Sequence, residues 1–136
     1  MNGSGTKHRI LIVEDDAWVS RVIQRVFAKA GYETTVASNG EQALRALDEQ
    51  PFDAMITDIN MPKMDGRELC QVLFASDRTL PQSILVVTSQ TRVETRSWID
   101  RFPSVDLQEK PISPRALLRW VEQKLSQTGH SEREAA

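Results

Sequence analysis

The residues of this chain that could do chemistry stand directly after its short apolar runs. Glu14, Asp15 and Asp16 follow Arg9 to Val13, and Asp58 follows Ala54 to Thr57. Thr88 and Ser89 end the run Ser83 to Val87, and Lys110 follows Val105 to Glu109. Acids brought to one edge raise each other's pKa and cannot all stay ionised without a compensating cation. A hard divalent ion with oxygen ligands fits that need, and magnesium typically takes one or two carboxylates, waters and phosphate oxygens. Lys110 adds a mobile positive charge suited to phosphate or carboxylate, and Thr88 a hydroxyl donor. Carboxylates, a lysine and a hydroxyl without a histidine or cysteine base describe a phosphoryl-transfer site. There the work is positioning and charge neutralisation, and one carboxylate can be the nucleophile. Plainer roles stand beside these: Asp58 as a turn acid, the acidic triplet as a helix cap, Thr88 as a strand end, Lys110 as a solvated lysine.

The elements that must position these groups follow from periodicity. Arg9 to Val13 and Ser83 to Val87 are continuous apolar runs of the kind buried on both faces of a sheet. Ala54 to Thr57 is a third. Glu33 to Ala37 is β-branched and half polar, and Val105 to Glu109 is short and polar, as sheet edges are. Helical spacing recurs between them. Val19, Val22, Ile23, Val26 and Phe27 form a stripe stopped by Gly31, with Asp15 or Asp16 as its cap and Trp18 at its flank. Further helices carry Ala43, Leu44 and Leu47; Leu69, Cys70 and Leu73; Val93, Trp98 and Ile99 within Thr91 to Phe102; and Leu117, Val121 and Leu125 after Ser113-Pro114. Five strands alternating with five helices predict a parallel sheet covered on both faces. In such sheets ligands bind outside the carboxyl ends of the strands, where the acids, Thr88 and Lys110 fall.

The chain has 136 residues, about one domain's worth, and a formal net charge of −2. That balance argues against direct DNA binding or an anionic membrane surface. One cysteine, Cys70, allows no internal disulfide and no thiol metal cluster, and on an apolar helix it reads as core. The start lacks a signal peptide's apolar core, and no run approaches the ~18 apolar residues of a membrane helix. A cytoplasmic setting without membrane contact is the expectation. His8 and His130 fall in or near the tails, and neither reads as a phosphohistidine or a metal ligand.

ILIVEDD, TDINMPKMDG, VVTS and EKP occur in the order and spacing of the receiver domain of two-component response regulators, which the chain resembles from Arg9 to Leu125. The resemblance implies an α/β flavodoxin-like fold, a doubly wound five-stranded parallel sheet of order 2-1-3-4-5. It implies a receiver domain over residues 8–126, with flexible tails at 1–7 and 127–136. It makes Asp58 the acceptor of a phosphoryl group from a histidine kinase or histidine phosphotransfer protein. It makes Glu14, Asp15, Asp58 and the Asn60 carbonyl the Mg2+ ligands, with Asp16 assisting. Thr88 becomes the switch hydroxyl and Lys110 the phosphate-binding lysine, with a cis bond to Pro111 as in many relatives. The protein would catalyse only its own phosphorylation and hydrolysis, and signal to an unknown downstream protein through the face of the fourth helix, fifth strand and fifth helix.

Two departures stand out. The position three before the lysine, usually Tyr or Phe in relatives, is Leu107, and the turn before the fifth strand reads Phe102-Pro103-Ser104-Val105 in place of a small, Gly-containing one. Leu107 motivates an alternative, a receiver-fold interaction module that works without phosphorylation. A phosphatase of the haloacid-dehalogenase type would want a second acid where Asn60 stands. Trp98 and Trp120 are either core residues or anchors of an aromatic partner face. Asn60 and Gln90 flank the site at positions where relatives tune the phosphoryl lifetime.

Overall fold

The apolar runs pair as five parallel strands: β1 (Arg9–Val13), β2 (Glu33–Ala37), β3 (Ala54–Asp58), β4 (Ser83–Thr88) and β5 (Val105–Glu109). The sheet order is β2-β1-β3-β4-β5, with the half-polar β2 and β5 at the edges as expected. The crossovers are α1 (Ala17–Lys29), α2 (Gly40–Glu49), α3 (Gly66–Phe74) and α4 (Arg92–Ile99), and α5 (Pro114–Ala135) closes the fold. The computed structural model describes residues 7–89, 92–102 and 104–135 and, within these, the side chains of all but 92–94 and 127–135. Gln90 and Pro103 lie outside the described residues.

Strand alternation sorts the core into two layers. Ile10, Ile12, Ile56, Leu85 and Val87 face Phe27, Leu117 and Val121 of α1 and α5. Leu11, Val13, Met55 and Ile84 face Ala43, Leu47, Leu69 and Leu73 of α2 and α3. A third cluster joins Ile59, Cys70, Val86, Trp98, Ile99 and Leu107 beneath α4. Cys70 is a core residue there, its thiol pushed up to about 12 by burial and then by the charge of Asp65.

Two features differ from the sequence reading, the end of the fourth helix and the extent of the fifth. The fourth helix ends at Ile99, short of the expected Phe102, because its last turn tightens: the amides of Arg101 and Phe102 donate to Trp98 and Ile99 three residues back. Thr91, its expected first residue, lies outside the described residues. Ser104, at φ 66°, then turns the chain into β5. α5 continues to Ala135, through the segment expected as a flexible tail.

The tryptophans are a correction. Trp98 and Trp120, expected as a candidate partner face, are only 5% and 8% exposed and belong to the core. The Trp120 indole N–H donates to Asp106 Oδ2 at 2.8 Å, which gives its one polar atom a partner at the core edge. Lys124 Nζ lies 2.9 Å from the same oxygen, so Asp106 fastens α5 to β5. Burial alone would raise the Asp106 carboxyl, but the hydrogen bonds from Trp120 and Lys124 outweigh it and hold the group below its usual range. Its stabilisation is therefore complete above the ordinary value of 3.8 and is lost as pH falls through the lowered folded value. Asp106→Asn is expected to cost no more than about 1 kcal/mol near neutrality, since the carboxylate is partly solvated. The difference from the parent chain should vanish in strong acid, as urea unfolding at the two pH values would measure.

Candidate functional site

The carboxyl ends of β1, β3, β4 and β5 open on one edge of the sheet, and parallel pairing sets them side by side. Val13 pairs with Thr57, Asp58 with Val87, and Thr88 with Glu109. Asp58 is thereby held as the last residue of a strand buried along its whole length. Its carbonyl accepts from Thr57 Oγ1 at 2.9 Å. On its far side Gly66 approaches so closely that a Cβ there would lie 2.6 Å from the Asp58 oxygen. The Gly66 amide donates to Ile59 at 2.9 Å, closing the loop, and an Asp65–Glu68 capping box starts α3 immediately after it.

Asp58 is only 6% exposed. Oδ2 accepts from Lys110 Nζ at 2.9 Å, while Oδ1 is buried without a hydrogen-bond partner. Glu14, Asp15 and Asp58 each offer a carboxylate oxygen within 4.8 Å of the others. Burial first, and then the charge of Asp58, raise the Glu14 carboxyl above its ordinary value, against the Asp16 amide bond and Lys110. Burial opposes the charge on Lys110, but the hydrogen bond and charge of Asp58, with Glu14 and Asp15 behind it, lift the ammonium above its usual range. Lys110 is the cation of the cluster, and three carboxylates around it leave negative charge uncompensated.

A divalent ion fits this deficit. Oxygens bound to one magnesium at ~2.1 Å lie at most about 4.2 Å apart, so the three carboxylates need only small side-chain shifts to share it. The orphaned Asp58 Oδ1 supplies a reason for the ion, since a buried oxygen without a partner costs about 1–3 kcal/mol.

Thr88 is fully buried at the end of β4, and its carbonyl accepts from the Lys110 amide at 2.7 Å, which ties the hydroxyl-bearing residue to the lysine. The Lys110–Pro111 peptide is cis. Asn60 is exposed in the loop just past Ile59, two residues from Asp58. Asp16 serves the fold, its carboxylate capping α1 by accepting from the amides of Trp18 and Val19, at 2.9 and 3.3 Å. Glu14 Oε2 accepts in turn from the Asp16 amide. Leu107 lies buried on β5, among the residues under α4.

Trp18, placed by the sequence at the flank of the α1 stripe but given no role there, is 71% exposed. With Val22 and Ile112 it lines a cleft of about 840 Å³ that also holds Glu14, Asp58 and Lys110. Its place off the apolar stripe of α1, three residues after Asp15, was the signal.

Comparison with known proteins agrees with this geometry. The response regulator receiver domain family matches residues 10–122. The response regulator receiver protein CpdR of Brucella abortus is 35% identical over 117 residues, 86% of this chain and 96% of that protein. A CheY-like response regulator receiver domain protein from Methanospirillum hungatei superposes with a TM-score of 0.82 at 25% identity, over 93% of this chain and 99% of the other. The receiver domain of a sensor histidine kinase from Pseudomonas aeruginosa, solved with a magnesium ion coordinated in its active site cleft, has a TM-score of 0.76 at 25% identity, over 89% and 99%. The chain spans about half the length of other curated relatives: 47% of a probable transcriptional regulator of Guillardia theta and 54% of the response regulator MprA of Mycobacterium ulcerans.

Proposed function

The chain belongs to the response regulator receiver domain family, and from that premise we propose that Asp58 accepts a phosphoryl group from a histidine kinase or histidine phosphotransfer protein. The observation that carries this reading is the environment of Asp58: one oxygen held by Lys110, the other buried without a partner, and two further acids beside it. Glu14, Asp15 and Asp58, with the carbonyl of Asn60, would hold the ion. Bound there, Mg2+ would offset the carboxylate charge and the charge on the transferring phosphoryl oxygens.

The chain's own residues do the rest. An Asp58 oxygen attacks the phosphorus of a phosphohistidine; the P–O bond forms as the P–N bond breaks. The imidazole leaves with the electron pair and is neutralised by a proton from solvent. Lys110, already 2.9 Å from Asp58, follows the new phosphoryl oxygens, and the Thr88 hydroxyl donates to one of them. Attack of water on phosphorus later returns Asp58, so the chain is its own substrate and turns over no external metabolite. On this reading it works in the cytoplasm and acts through contact with another protein.

The acid pair, Asp58 and Lys110 standing together favour this over a module indifferent to phosphorylation, for which such a charge cluster would be a cost without a use. Acetyl phosphate with Mg2+ is expected to add one phosphoryl group, detected by intact mass, and chelation of the metal to slow uptake by more than tenfold. No uptake, or uptake indifferent to the metal, overturns the reading, as would steady turnover of aryl phosphates.

A further inference from the structure

Position 107 carries no ring, and the space beside it is filled from another element. Trp98 of α4 is buried in one cluster with Leu107, Ile59 and Val86. It is the largest side chain there. Each of these neighbours belongs to an element that ends or begins at the site. Ile59 is the residue after Asp58, and its amide donates to Val87 on β4. Val86 lies two residues before Thr88 and pairs with Leu107 in the sheet. The guanidinium of Arg67, next to Gly66, sits 5.9 Å from the centre of the Trp98 ring. Phe102 meets Trp98 edge-on at 6.1 Å and stacks on Phe74 of α3 at 4.9 Å. A shift of the β3–α3 loop or of the β4 end thus reaches the Trp98 indole through packed contacts.

The opposite side of β5 is built differently. There Trp120 and Lys124 both bind the Asp106 carboxylate, fastening α5 to β5. Moving α5 away from β5 would leave these hydrogen-bonding groups without their partner, which holds that helix in one arrangement.

We infer that Trp98 is the aromatic group that repacks when Asp58 is phosphorylated, taking over on α4 the part that residue 107 has no ring to play, while α5 stays fixed. This rests on the phosphoryl-acceptor reading and adds to it the route by which the change leaves the site. The surface that a downstream protein meets then changes at α4 and not at α5.

Incorporation of 5-fluorotryptophan tests it on the whole chain. The three tryptophans give three fluorine resonances, assigned by Trp18→Phe, Trp98→Phe and Trp120→Phe. Acetyl phosphate and Mg2+ are added, and uptake on Asp58 is followed by mass in the same sample. Trp18 lies in the site cleft and responds to the added charge directly. The expected result is a Trp98 resonance displaced well beyond its linewidth in proportion to uptake, with Trp120 unmoved. Full uptake with Trp98 unmoved, or with Trp120 displaced as much, overturns the inference and leaves the acceptor reading intact. Absence of uptake overturns both.

Discussion

Asp58→Asn is expected to abolish phosphoryl uptake and, without magnesium, to make the protein more stable than the parent chain. The carboxylate is 6% exposed, its Oδ1 lacks a partner, and two further acids lie beside it. An unsatisfied buried polar atom costs about 1–3 kcal/mol, and like charges add to that. Asparagine keeps the shape and removes the charge. Lys110 loses its ion pair, but at 40% side-chain exposure it can turn to water. The net gain should be about 1 kcal/mol, a rise of roughly 4 °C in Tm for a domain of this size. Magnesium reverses the comparison: at tenfold its dissociation constant it stabilises the parent chain by about 1.4 kcal/mol, and the variant gains little. Thermal unfolding of both proteins with and without magnesium measures all four values. A variant less stable than its parent in the absence of metal would contradict this view of Asp58 as a strained, functional charge.

Gly66→Ala is expected to damage both the fold and the site. A Cβ at this position would stand 2.6 Å from the Asp58 carbonyl oxygen and 2.9 Å from the Ile59 Cα, and backbone atoms cannot rotate aside. Either α3 retreats, breaking the 2.9 Å bond from the Gly66 amide to Ile59, or the end of β3 shifts and carries Asp58 from Lys110. Overpacking of this kind costs on the order of 3 kcal/mol. Phosphoryl uptake should fall by at least tenfold, since Asp58 would no longer be held against Lys110. Gly31→Ala is the control: φ is +92° there, but nothing lies within 4 Å of the new Cβ. It should cost about 1 kcal/mol and leave uptake unchanged. Urea unfolding and the rate of uptake separate the two variants. Equal behaviour would mean that the contact between Gly66 and Asp58 does not position the site.

How far the sequence foretells this structure depends on the kind of contact. The strands were legible because a parallel sheet buries both faces, so Arg9 to Val13 and Ser83 to Val87 read as unbroken apolar runs. The site was legible for a related reason: Asp58 and Lys110 stand at strand ends, and their meeting at 2.9 Å follows once the strands are parallel and share one sheet edge. The burial of Trp120 was not legible, because it depends on an acceptor 14 residues away on another element. Trp98 was ambiguous because its helix carries few apolar residues, and only the cluster with Leu107 and Phe102 explains its burial. Asp16 was assigned both a capping and an assisting role, and local geometry gives its carboxylate to the α1 amides.

Whether Asp58 is the phosphoryl acceptor is decided by locating the group on the chain. The protein would be incubated with a phosphorylated histidine phosphotransfer protein and Mg2+, reduced with borohydride to convert an aspartyl phosphate to homoserine, digested, and sequenced by tandem mass spectrometry. A single homoserine is expected, at position 58, absent when the metal is chelated. Conversion at any other aspartate, or at none while the donor loses its phosphoryl group, would contradict the assignment of Asp58.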